Sequence, residues 1–130
     1  MKKLIFCLLF FFSIVGCDNS TAQTKLSPDD FEKLIKTDKT VQLVDVRTPQ
    51  EVANGHIEKA VNINIADADF SAKMSQLDKT KPIAVYCGVG GRSGKAAAML
   101  TTLGFTKIYD LQGGMTAWKG QNKAVAKQIV

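Results

Sequence analysis

Apolar residues gather in short runs along this chain, and the runs alternate with stretches of different period. Residues 41–46 (VQLVDV), 60–65 (AVNINI), 82–87 (PIAVYC) and 107–111 (KIYDL) are rich in β-branched side chains and predict strands. Only AVNINI alternates cleanly; the others are nearly continuous, as expected of strands buried on both faces of a parallel sheet. Between them, residues 48–55, 67–77 and 92–104 predict helices, the last with Ala97, Leu100, Thr101 and Leu103 near helical spacing. A helix also opens the series near residue 27, and a short one closes it at GGMTAWKG. Strand–helix alternation over this length predicts a small α/β domain. Its expected form is three layers, a central, mostly parallel sheet of four to five strands flanked by helices.

Local signals place the helix ends. Ser27 is a good N-cap, Pro28 suits the first turn, and Asp29 and Asp30 favour the positive end of the helix dipole. Leu26 and Phe31 are spaced for a hydrophobic staple across that cap. Thr48 and Glu51 form a capping box with Pro49 inside it; Gly55 ends that helix, and Gly104 ends the fourth.

The start of the chain follows another pattern. Lys2 and Lys3 precede an apolar run over residues 4–15, too short to span a bilayer, which takes roughly 20 apolar residues. This is the layout of an export signal over residues 1–16. It ends SIVGC, which resembles the lipobox of bacterial lipoproteins and makes Cys17 the expected lipid-attachment residue. Residues 17–25 then read as anchor and tether, 26–120 as the domain, and 121–130 as a polar C-terminal tail. The expected location is the bacterial cell envelope, facing the periplasm and touching the membrane only through the lipid. An ordinary signal peptide cut nearby would instead leave a soluble periplasmic protein.

Charge and cysteine content narrow the functions. The formal charge of +5 falls to +3 without Lys2 and Lys3, and the remaining lysines are scattered, which argues against nucleic acid. Of three cysteines, Cys7 leaves with the signal and Cys17 carries lipid, so Cys87 is the one expected free thiol. No disulfide framework follows. With a single histidine, His56, and scattered carboxylates, nothing has metal-ligand spacing, and no metal, nucleotide or flavin is expected.

Cys87 ends a predicted strand, and the loop Gly88-Val89-Gly90-Gly91 leads from it into a helix near Arg92 or Ser93. In open α/β sheets, ligands sit beyond the carboxyl ends of the strands. Glycines let successive backbone N–H groups turn inward, making an anion-binding nest beside a helix N-terminus. A thiol held there is acidified, and the thiolate is the nucleophile. Arg92 opposes the helix dipole by a few tenths to about 1 kcal/mol, which makes sense if an anion sits between them.

At DVRTPQEVANGHIEKAVNI (45–63), VYCGVGGRS (85–93) and LGFTKIYDLQGGMTAW (103–118) the chain resembles the rhodanese-like single-domain sulfurtransferases, over about residues 26–120. The resemblance implies that Cys87 takes sulfane sulfur from a small donor, thiosulfate or a persulfide, as a cysteine persulfide. The sulfur then passes to a thiophilic acceptor, a thiol or cyanide, or to a protein acceptor. It also implies that the backbone of Gly88, Val89, Gly90, Gly91, Arg92 and Ser93 cradles the persulfide. Arg92 is expected to orient and neutralise the anion, and the chain to act as a monomer. Related phosphatases have five residues between cysteine and arginine; four stand here, a smaller ring suited to one sulfur atom. Arg92 is the sole charged side chain of the loop, so strong thiosulfate selectivity is not implied. Two other classes stay open, a non-turnover persulfide carrier or docking module at the membrane and a thiol redox sensor.

Asp45 shares the strand-end rim with Cys87. It either pairs with Arg92 or Arg47 to support the loop, or merely begins a turn. His56 reads as structural, Trp118 as core, and Gly113 and Gly114 as a tight turn rather than a site.

Overall fold

The computed structural model describes residues 22–128. The export signal expected over 1–16, Cys17 and the first part of the expected tether lie outside the described residues. Five strands alternate with five helices: β1 Gln23–Leu26, α1 Pro28–Thr37, β2 Gln42–Asp45, α2 Pro49–Ala53, β3 Val61–Asn62, α3 Phe70–Ser75, β4 Ile83–Tyr86, α4 Gly91–Thr102, β5 Ile108–Leu111 and α5 Gly114–Gly120. The sheet order is β1-β5-β4-β2-β3, and every pairing is parallel. This is the expected three-layer α/β architecture, with five strands.

The capping signals act as read. Ser27 Oγ accepts from the Asp30 N–H at 3.2 Å, and Thr48 and Glu51 form both halves of the capping box. The strand expected over 60–65 pairs in the ladder only at Val61 and Asn62, but Ile63 and Ile65 continue to donate to the carbonyls of Asp45 and Val46.

Two boundaries move. Residues 23–25, expected in the tether, belong to β1, an outer strand in register with β5 from Gln23–Ile108 to Leu26–Leu111. Its side chains are largely exposed, so backbone pairing, not apolar burial, holds it there. The polar residues after 120 are folded back at least as far as Ala126, which pairs with His56 in an antiparallel bridge. Lys123 Nζ reaches Asp29 Oδ1 at 2.7 Å and Glu32 Oε2 at 2.6 Å, and Trp118 Nε1 donates to the Ala124 carbonyl.

The core lies on both faces of the sheet. On one, α3 and α4 press Phe70, Met74, Ala96, Ala97 and Leu100 against Val44, Ile83, Val85 and Ile108. On the other, α1 and α5 bring Phe31, Met115 and Trp118 against Ala84, Tyr86 and Leu111, with Leu26 packed beside them. Each fully buried large apolar side chain stabilises the fold by about 1.5–3 kcal/mol relative to exposure. The connection after β2 contributes Ile57 to one face while α4, after β4, covers the other. Neighbouring strands whose connections leave on opposite faces open a crevice at their carboxyl ends, and β2 and β4 are that pair.

Candidate active site

Cys87 follows β4 directly and is fully buried. The chain beyond it curls around the sulfur before α4 begins at Gly91. Gly90 stands at φ +112° as the helix N-cap, a backbone shape that a side chain rarely permits. Its N–H donates to Cys87 Sγ at 3.0 Å. Ser93 Oγ lies 3.5 Å from Sγ and also within 3.2 Å of the Gly90 carbonyl, so one hydroxyl hydrogen serves either neighbour. Burial by itself pushes the Cys87 thiol pKa up. The Ser93 hydroxyl and the N–H groups of Ser93, Gly90 and Val89 outweigh it, and the thiol ends below its ordinary value. Neutral dipoles, rather than a base, thus favour the ionised form of this thiol.

The first turn of α5 fastens the other side of this loop. Met115 N–H donates to the Cys87 carbonyl at 2.9 Å and Thr116 N–H to the Gly88 carbonyl at 3.0 Å. Such close approach requires Gly114: at its φ of +56°, a Cβ would stand 2.5 Å from the Cys87 carbonyl oxygen and 2.7 Å from Gly88. Gly113 and Gly114 do make the tight turn expected of them. Their part in shaping the cysteine loop is an addition.

Arg92 turns back across Gly88, its Nη2 3.2 Å from where a Gly88 Cβ would be. Both terminal nitrogens are engaged by Glu51, Nη1 to Oε1 at 2.7 Å and Nη2 to Oε2 at 2.8 Å. The pair is about one-third exposed on each side and spans the crevice from α2 to α4. The Arg92 guanidinium, with Thr48 assisting and against a partial burial cost, holds the Glu51 carboxyl at about 2. Glu51 carried only a capping signal in the sequence; its second partner is 41 residues away.

Asp45 pairs with Arg47, not Arg92. Both are buried, at 0% and 4% exposure. Arg47 Nε and Nη2 reach the two Asp45 oxygens, the Arg47 N–H donates to Asp45 Oδ1 at 3.0 Å, and Nη2 also donates to the Gly55 carbonyl. Arg47 lies over the Tyr86 ring at 5.7 Å. The arrangement ties the end of β2 to the exit of α2, and so fixes the helix that carries Glu51. Removing one partner of such a buried pair costs about 3–5 kcal/mol.

His56 Nδ1 sits 3.1 Å from the Val52 carbonyl, away from the thiol's hydrogen bonds. Asp110, at the end of β5, is a buried carboxyl whose Oδ1 has no hydrogen-bond partner among the described residues, and burial pushes its pKa up. Val89, at the loop's apex, is 73% exposed. A cavity of about 360 Å³ floored by Ile35, Leu43, Ile57 and Trp118 shares no residue with the cysteine loop. Among the described residues no three His, Cys, Asp or Glu side chains gather as a metal would require. Nor is any described helix long and apolar enough to cross a membrane.

Strand order, a cysteine at the central strand's carboxyl end and a ring of N–H donors together define a rhodanese-type site. A profile of the rhodanese-like domain matches residues 27–121, and the chain belongs to that family. YqhL of Bacillus subtilis is 41% identical over 83 residues, which are 64% of this chain, and the chain spans 64% of its length. The putative sulfurtransferase YtwF of the same organism is 37% identical over 99 residues, covering 76% of this chain and 93% of that one. Thiosulfate sulfurtransferase GlpE of Shewanella oneidensis is 38% identical over 84 residues, 65% of this chain and 81% of that one. Relatives named tRNA uridine(34) hydroxylase also match, but this chain spans only 30%, 39% and 46% of three of them. The crystal structure of a rhodanese-related protein from Thermoplasma volcanium superposes with a TM-score of 0.70 at 31% identity, covering 80% of this chain and 98% of that one.

Proposed function

We propose that the chain is a sulfurtransferase that carries sulfur as a persulfide on Cys87. The Cys87 thiolate attacks the outer sulfur of the donor, the donor's S–S bond breaks, and the leaving group departs with the electron pair, as sulfite from thiosulfate or as a thiolate from a persulfide. The terminal sulfur of the new Cys87 persulfide then meets a thiolate or cyanide acceptor. A bond forms to that sulfur, the Cys87 S–S bond breaks, and the thiolate returns. The observation that carries this reading is the buried sulfur within a ring of N–H and hydroxyl donors, where a transferred sulfur atom and its negative charge would be held. The four-residue spacing to Arg92 favours this small load over a tetrahedral oxyanion.

The same proposal places the domain outside the cytoplasm with lipid on Cys17; the basic start, the short apolar run and the Gly16–Cys17 junction support it.

Initial rates with donor varied at several fixed acceptor concentrations test the two-step course. Parallel double-reciprocal lines, and loss of all transfer in Cys87→Ser, are expected. Intersecting lines would mean that donor and acceptor must be bound together, and the free persulfide enzyme would be abandoned.

A further inference from the structure

The Glu51–Arg92 pair has a geometry that loop support alone does not demand. Glu51 meets Arg92 through both oxygens, and its Oε1 is also held from its own helix by the Thr48 hydroxyl at 3.1 Å. The sole cation of the cysteine loop is therefore already matched with a carboxylate before any donor arrives. We infer that Glu51 is a specificity-determining residue: by occupying Arg92, it biases Cys87 against dianionic sulfur donors and toward sulfane sulfur carried on an uncharged or weakly charged thiol. The inference rests on the sulfur-transfer reading above and names the substrate class for that site.

The charges decide the direction. A free guanidinium beside Gly88 would attract a dianion such as thiosulfate toward a thiolate that repels it. With Glu51 attached, Arg92 and its partner carry no net charge between them, and an incoming dianion must share Arg92 or displace a bidentate carboxylate. The N–H groups around Sγ remain, but they are already directed at the thiolate. A persulfide on a small uncharged alkyl group needs no cation to approach, and its attack by Cys87 releases the alkyl thiolate as the S–S bond breaks. Because Arg92 keeps Glu51 ionised down to about pH 2, the bias does not relax at any pH where the thiolate reacts.

Glu51→Gln removes the charge while keeping an N3 residue that completes a capping box, so α2 retains its start. With the full chain, kcat/KM is measured for thiosulfate, a dianion, and for a persulfide whose alkyl group bears no charge and which is at most a monoanion, and their ratio is the readout. The ratio should shift toward thiosulfate by about tenfold in Glu51→Gln, through a fall in the thiosulfate KM rather than a rise in kcat. In an Arg92→Ala background, where no cation is left to be freed, the same substitution should shift the ratio by clearly less, since only direct repulsion by the carboxylate is then removed. A ratio that stays constant or moves toward the persulfide in Glu51→Gln would overturn the inference, leaving Glu51 as a mere support for Arg92. Wild-type protein that takes sulfur from neither donor would overturn the sulfur-transfer reading itself, and the inference with it.

Discussion

The Ser93 hydroxyl decides more about Cys87 than its small size suggests. It is the largest of the influences that lower the thiol pKa, and it acts against the burial that raises it. Because the folded value is depressed, the thiolate's contribution to stability is present above the unfolded thiol pKa, about 8.5, and is lost as pH falls through the folded value. Nucleophilicity falls over the same window. Ser93→Ala should therefore move the pH midpoint of Cys87 alkylation by iodoacetamide upward, toward that of a free thiol. Followed on the Cys87 peptide, the rate at neutral pH should drop severalfold and the alkaline limit should change little. An unmoved midpoint would mean that the backbone N–H groups suffice. The place of Cys87, at a strand end inside a turn of N–H donors, was legible from the strand, cysteine and glycine order alone. The partners of Arg92 and Asp45 were less so, since they depend on which side chains meet across the crevice. Glu51 displayed a local signal three residues long, and this concealed a contact 41 residues away.

Between elements, the decisive contact is α5 against the cysteine loop. Gly114 exists for backbone approach, not only for its turn. Gly114→Ala would place a Cβ 2.5 Å from the Cys87 carbonyl oxygen in a left-handed conformation, so loop and helix must part. A loss of about 2–3 kcal/mol in urea unfolding is expected, together with slower sulfur uptake. Full stability with normal uptake would show that the α5 hydrogen bonds do not shape the loop. The elements themselves were mostly visible in the sequence, because β2, β4 and β5 are buried apolar runs and α1 and α2 carry explicit caps. β1 was not, for a physical reason: an outer strand with exposed side chains is recruited by the backbone groups of β5, and its Gln-Thr-Lys composition says tether. The docked residues after α5 were hidden likewise, their anchors being Lys123 and backbone carbonyls rather than apolar periodicity.

Taken as a whole, the molecule is a sheet whose connections part between β2 and β4, and each side of that crevice supplies one portion of the site. The β4 side brings the sulfur and its ring of donors; the β2 side brings the carboxylate that occupies Arg92 and the buried Asp45–Arg47 pair that anchors it. The donor ring predicts that sulfur should stay on Cys87 once delivered, until an acceptor thiolate removes it. Intact mass of the full chain, taken after exposure to an alkyl persulfide, separation from it, and then addition of a thiol, tests this most directly. A gain of one sulfur (about 32 Da) mapped to Cys87, absent in Cys87→Ser and discharged within seconds by the thiol, is the predicted result. No gain at Cys87 while its thiol remains free to alkylate would contradict the account.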